Sequence, residues 1–194
     1  MTIKTFNINT DKTAFVRAYL PDSIAGLPFC EKRPAVLIFP GGGYEYCSDR
    51  EGEPIALQYL ALGYAAFVVT YSCNERFPEP LMDAAYIFYK IRMRAEEFKI
   101  DPQKMAVLGC SAGGHLAGCL ATMWSDIALT KTIGCEPEDL RPNAAILCYP
   151  VISGVTAPHE GSFKVLLGEE ASRSDLSRLS LENRVTPKTP PVFI

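Results

Sequence analysis

Only two histidines occur among the 194 residues, no C-x-x-C pair is present, and no apolar run exceeds strand length. The longest such runs, around Val36–Phe39 and Ala65–Val69, are far too short to span a bilayer. Net charge is −3, so there is no basic excess to hold nucleic acid and no polybasic patch for a membrane surface. The seven cysteines, Cys30, Cys47, Cys73, Cys110, Cys119, Cys135 and Cys148, are odd in number and scattered. That pattern argues against a disulfide framework and a structural zinc site, and leaves reduced thiols in a cytoplasmic protein as the simplest expectation. The N-terminus lacks a basic stretch followed by an apolar core, so no secretory signal is read there. No internal repeat and no low-complexity tract interrupts the chain.

What is present is an alternation of short β-rich runs and stretches of helical period. Ala35–Phe39 reads as a buried strand closed by Pro40-Gly41-Gly42-Gly43. Residues 54–62 carry Ala56, Tyr59 and Leu60 at helical spacing, with Gly63 suited to a left-handed C-terminal cap. Tyr64–Tyr71 is again a strand. The clearest helix is Pro80–Ala95, with Leu81, Ala84, Ala85, Phe88 and Ile91 on one face and Asp83, Lys90 and Arg94 directed elsewhere. Asp101-Pro102 reads as a turn, Met105–Gly109 as a strand and Gly114–Met123 as a helix. Ala144–Tyr149 and the segment from Val192 complete the strands. Continuous apolar strands joined through helices imply an α/β fold, a doubly wound and mostly parallel sheet covered on both faces. Phe6, Ile8, Phe15, Val16, Ala18 and Leu20 suggest an antiparallel edge hairpin. The chain reads as one domain, 1–194, with the polar, weakly periodic residues 153–188 as an excursion over the C-terminal edge of the sheet.

Gly109-Cys110-Ser111-Ala112-Gly113 follows a strand and opens a helix, the context that a G-x-S-x-G nucleophile elbow requires. A strained strand-to-helix turn would lift the Ser111 hydroxyl above the sheet. The glycines two residues either side would remove Cβ atoms from crowded positions, and the Ala112 amide would face an oxygen that becomes negative during acyl transfer. The competing reading is a tight turn with a structural serine. Gly41-Gly42-Gly43-Tyr44 can bring further amide donors to the same point. The competing readings are a plain strand-to-loop turn and a phosphate cradle; no G-x-x-x-x-G-K-[ST] or G-x-G-x-x-G pattern accompanies the run, and its place in the chain ahead of the serine motif favours the amide-donor reading. Cys110, beside the serine, reads as a small buried hydrophobe.

Taken with Arg50-Glu51-Gly52-Glu53-Pro54, Gly63–Phe67, Gly113-Gly114-His115-Leu116-Ala117, Tyr149-Pro150-Val151 and His159-Glu160-Gly161-Ser162, these motifs resemble the acetyl-esterase/lipase branch of the α/β-hydrolases. That branch includes acetylxylan-esterase-like and hormone-sensitive-lipase-like enzymes, and the similarity runs from residue 35 onward. The resemblance implies an α/β-hydrolase fold lacking its last strand and helices, with Ser111 as nucleophile and Gly42, Gly43 and Ala112 as oxyanion donors. It implies no metal and no organic cofactor, and a small-molecule ester as substrate. Lipase-like members usually carry histidine where this chain has Pro40, which favours short acyl groups on sugars or small alcohols over long-chain lipids.

A serine nucleophile needs a histidine base oriented by a carboxylate, in the chain order Ser, acid, His in this fold. His115 is one helical turn inside the elbow and His159 lies in the polar excursion, so both are expected to be structural. Asp126, Asp139, Glu160 and Asp175 precede the acid-bearing turn and read as solvated or capping residues. The expectation is therefore that the acid and the histidine lie beyond residue 194, and that these 194 residues alone hydrolyse esters poorly and self-associate through uncovered sheet surface. Two rivals stay open: a peptidase of the prolyl-oligopeptidase type, and a catalytically silent member of the fold used for binding or assembly.

Overall fold

The computed structural model describes residues 1–7, 14–23 and 32–194. Ile8 and Cys30 lie outside the described residues. The strands are β1 (Thr2–Asn7), β2 (Phe15–Leu20), β3 (Arg33–Phe39), β4 (Ala65–Thr70), β5 (Ile100–Cys110), β6 (Ala144–Cys148) and β7 (Val192–Phe193). Among the described residues they form one seven-stranded sheet in the order β1-β2-β4-β3-β5-β6-β7. β1 and β2 are the antiparallel edge, and β4, β3, β5, β6 and β7 run parallel.

The apolar runs are continuous because both faces of the sheet are covered. Along β3, Ala35, Leu37 and Phe39 enter one core, with Phe67, Val69, Met105 and Val107 from the adjacent strands. Val36 and Ile38 enter a second, with Tyr19, Ala66, Leu108 and Cys110. Helix α1 (Glu53–Ala61) joins β3 to β4 and places Ala56 in the second core. Helix α2 (Glu79–Met93) lies between β4 and β5 in the chain and places Leu81, Ala84, Ala85, Phe88 and Ile91 in the first. The path from β3 to β4 steps one way across the sheet, and the path from β4 to β5 steps back over β3. The strand order therefore reverses between β3 and β5, and ligand crevices in open α/β sheets form beyond the C-terminal ends at such a point.

Several expectations change in detail. Asp83, expected off the apolar face of α2, is buried, and its Oδ2 accepts the Ser72 amide hydrogen at 2.9 Å. A carboxylate can sit inside the protein when it satisfies a donor that would otherwise be orphaned. Asp101-Pro102 does not end an element: β5 runs through it as an irregularity, because Arg33 pairs with Ile100 while Ala35 pairs with Met105. Asp101 makes a local turn by accepting the Gln103 amide hydrogen at 2.9 Å. The short helix α3 (Ala95–Phe98) precedes β5. Helix α4 (Ala112–Met123) follows it and starts two residues before the expected Gly114; α5 (Ile127–Ile133) and α6 (Pro137–Leu140) come next.

Residues 153–188 are more ordered than their polar composition suggests. They contain α7 (Glu160–Leu167), α8 (Arg173–Leu179) and a 3-10 turn at Leu181–Asn183. Phe163, Leu166, Leu179 and Leu181 join the first core. Asp126 caps α5, while Asp139 and Asp175 complete capping boxes on α6 and α8, the roles expected of them.

Two glycines of α4 test how tightly this arrangement is packed. A Cβ at Gly113 would lie 2.0 Å from the Phe39 carbonyl oxygen, which is backbone and cannot yield. A Cβ at Gly118 would meet Leu181 Cδ1 at 2.4 Å, the end of a flexible side chain. In the second case the helix-propensity gain of alanine, about 1 kcal/mol, offsets the displacement. Urea denaturation is expected to show Gly113→Ala destabilised by at least about 3 kcal/mol or unfolded, and Gly118→Ala within about 1 kcal/mol of the parent protein.

Candidate active site

Ser111 stands between β5 and α4 with φ 52° and ψ −119°, a backbone region that side-chain-bearing residues rarely occupy. Holding a residue there costs on the order of 1–3 kcal/mol, so the surroundings must enforce it. Three backbone bonds do so. The Ser111 amide donates to the Cys148 carbonyl at 3.0 Å, and the Ser111 carbonyl accepts from His115 and Val151, each at 3.1 Å. The flanking glycines are demanded by contact: a Cβ at Gly109 would meet the Gly113 carbonyl oxygen at 2.0 Å.

The glycine run after β3 arrives beside this turn. A Cβ at Gly41 would sit 3.0 Å from Ser111 Cβ and 2.8 Å from the Cys110 carbonyl oxygen, so only glycine fits. Gly42 has φ 130°, a conformation that disfavours any side chain. The Gly41 amide donates to Glu51 Oε2 at 2.7 Å, and its carbonyl accepts the Ser48 amide hydrogen at 2.9 Å. No acceptor among the described residues takes the amide hydrogens of Gly42 and Gly43. The Ala112 amide, in the first turn of α4, has no intrahelical acceptor. Two adjacent strand ends thus bring Ser111, Gly42, Gly43 and Ala112 to one corner of the sheet.

Buried tyrosines fix the loop from behind. Tyr71 donates its hydroxyl to the Pro40 carbonyl at 2.7 Å, and the Asn74 amide donates to the Tyr44 carbonyl at 2.8 Å. Tyr44 turns inward and its hydroxyl meets His115 Nδ1 at 2.7 Å. The other ring nitrogen, Nε2, lies 2.8 Å from the Leu179 carbonyl oxygen. A carbonyl can only accept, so Nε2 carries the proton and Nδ1 accepts from Tyr44. Both nitrogens of His115 are therefore spent on structure, tying the glycine loop to the end of α8. His159 caps α7, its Nδ1 accepting the Ser162 amide hydrogen at 3.3 Å with Ser162 Oγ at 2.9 Å. It also faces an open hollow of about 630 Å³ that Ser111, Tyr149, Val151, Ser153 and Glu182 share.

Sequence reasoning gave no role to Glu51, Tyr44 or Tyr149. Each lies in a segment that carries the family resemblance, which was the available signal. Tyr149 follows β6 at φ 35°, is 68% exposed, and donates its hydroxyl to Glu51 Oε1 at 2.8 Å. Its phenol is held well above the usual range, by burial of the hydroxyl and then by the Glu51 contact. Cys110 is buried with its thiol pushed up to about 11 by burial, so it stays protonated and packs as a small apolar group. The six cysteines among the described residues are unpaired. Those residues contain no cluster of His, Cys, Asp or Glu suited to a metal ion and no helix long and apolar enough to cross a membrane.

Burial drives the proton affinity of His115 below its ordinary value of 6.5, outweighing the Leu179 contact and the more distant Glu182, which act the other way. The unfolded chain then binds more protons than the folded one once the pH falls below about 6.5. The stability contributed by neutral His115 is complete above that pH and is lost as the pH falls. Thermal melts between about pH 7 and about pH 5 are expected to show a falling Tm, with a shallower slope in His115→Gln.

Comparison with known proteins adds a family and relatives to this geometry. The BD-FAE family profile matches residues 27–194. The chain is 36% identical to endo-1,4-beta-xylanase B of Butyrivibrio fibrisolvens over 170 residues, covering 84% of this chain and 26% of that protein. It is 32% identical to the acetylxylan esterase of Xylanibacter ruminicola over 200 residues, covering 98% of this chain and 37% of that protein. It thus spans about a quarter to over a third of the length of these curated relatives. Among solved structures it superposes on the acetyl ester-xyloside bifunctional hydrolase of Caldicellulosiruptor lactoaceticus with a TM-score of 0.81 at 35% identity, covering 97% of this chain and 67% of that one.

Proposed function

The chain belongs to the BD-FAE family of α/β-hydrolases, and from that footing we propose that it is a carboxylic ester hydrolase that works through an acyl-serine intermediate on Ser111. The observation that carries the reading is the corner itself. A serine at φ 52° stands where a Cβ on Gly41 would lie 3.0 Å from Ser111 Cβ, with the amide hydrogens of the next two glycines unclaimed. In the proposed reaction Ser111 Oγ attacks the acyl carbon and the carbonyl oxygen becomes an oxyanion. The amides of Gly42, Gly43 and Ala112 stabilise that charge. The alcohol then leaves with a proton, and water releases the acid and regenerates serine.

His115 is committed to Tyr44 and Leu179, which removes it as the base. Acid and histidine are assigned instead to segments following β7, in the order Ser, acid, His. The substrate we propose is a short acyl group, acetyl above all, on a sugar or small alcohol. Pro40 in place of the lipase-like histidine supports this, as do the acetylxylan esterase and acetyl ester-xyloside hydrolase among the relatives.

A second reading has one observation in its favour: neither histidine among the described residues donates to or accepts from Ser111. On that reading the fold serves binding and Ser111 is unactivated. A fluorophosphonate probe separates the two. The full-length protein is expected to label at Ser111, and Ser111→Ala is expected to lose both labelling and at least about 1,000-fold in ester turnover. p-Nitrophenyl acetate is expected to be cleaved faster than longer-chain esters. A folded full-length protein that takes no probe favours the silent reading.

A further inference from the structure

We propose that Glu51 is a positioning residue for acyl transfer, one that selects which amides of the glycine run face the oxyanion; this rests on the serine-esterase reading above. Glu51 ends a 3-10 turn, Asp49–Glu51, just before α1. Its carboxylate divides its two oxygens between the two loops that flank Ser111. Oε2 accepts the Gly41 amide hydrogen at 2.7 Å, and Oε1 accepts the Tyr149 hydroxyl at 2.8 Å. A methyl group on Gly41 would lie 2.7 Å from that same Oε2 and 3.0 Å from Ser111 Cβ, so carboxylate and serine crowd one glycine together.

The consequence concerns register. Three consecutive glycines could present their amides in more than one way, because nothing in their side chains prefers one. Glu51 claims the amide of Gly41, and the Ser48 amide claims its carbonyl. With Gly41 fixed through both its amide and its carbonyl, the Gly42 and Gly43 amides are left over, and they alone of the three are unclaimed. A negative group so near a developing negative oxygen would oppose the reaction if its lone pairs faced it. Here both carboxylate oxygens are engaged, and charge-assisted bonds of this kind hold geometry more firmly than neutral ones. Misplacing a reacting group by about 1 Å can cost about 100-fold in rate, which sets the size of effect expected when the clamp is removed.

The test uses the full-length protein, with kcat and KM for p-nitrophenyl acetate, the rate of fluorophosphonate labelling, and Tm. Glu51→Ala is expected to lower kcat about 100-fold with KM little changed, and to slow labelling in parallel. Glu51→Gln keeps a carbonyl for the Gly41 amide and is expected to restore kcat to within about tenfold of the parent protein. A role confined to holding the fold would lower Tm and leave kcat intact below the melt. Parental kcat and labelling rate in folded Glu51→Ala overturn the inference, as does an equal loss in Glu51→Gln. Should Glu51→Ala not fold, Glu51→Asp takes its place, since it keeps the charge and shortens the reach; parental kcat there overturns the inference too. A parent protein that takes no probe brings down the serine reading and this inference with it, whereas a parent and a Glu51→Ala variant that label equally fast overturn the inference alone.

Discussion

At the C-terminal ends of β3 and β5 the first turn of α4 lies so close to Phe39 and Pro40 that a methyl group at Gly113 would overlap both carbonyl oxygens. Gly109 meets α4 from the strand side with as little room, and Gly41 meets Ser111. Everything at the corner depends on this backbone-to-backbone approach. It holds Ser111 outside the ordinary backbone regions and brings the glycine run against the elbow, with two of its amides left without a protein acceptor among the described residues. Packing of this kind is not continuously adjustable, because interiors at crystal-like density transmit any added volume directly into the backbone.

Behind the corner the polar groups form a connected set. Tyr71 holds Pro40, Tyr44 holds His115, and His115 holds the Leu179 carbonyl at the end of α8. The segment 153–188 is thereby joined to the glycine loop through the interior and not only across the surface. Leu181 adds an apolar contact to α4, resting over Gly118. The outer helices and the glycine loop consequently share one buried imidazole, and the position of each bears on the other.

The centre of the sheet is legible in the sequence because β3 and β4 are buried on both faces: Val36–Phe39 and Ala65–Val69 have no alternation to confuse with a surface strand. The elbow is legible because Ser111 and its glycines are local to one turn. What escapes is what depends on distant partners. Asp83 looks like a surface residue until the Ser72 amide is seen to need it. Asp101-Pro102 carries turn chemistry and makes its turn, yet β3 pairs on both sides and the strand continues past it. Helices α7 and α8, capped by His159 and Ser172, are only eight and seven residues long, too short for an apolar face to repeat over several turns, although Phe163, Leu166 and Leu179 are well buried. The links made by Glu51 span 10 and 98 residues, separations at which no spacing rule operates.

The backbone at position 111 carries one more implication. Folding alone would favour glycine there, the residue that enters such a conformation without penalty. A serine in its place leaves the molecule permanently short of the stability it could otherwise reach. On the proposed reading of Ser111 as nucleophile, heat resistance and chemistry are therefore opposed at this residue: a search for hardier variants that ignored turnover would be drawn to replace it first, and would erase the hydroxyl on which the proposed reaction depends.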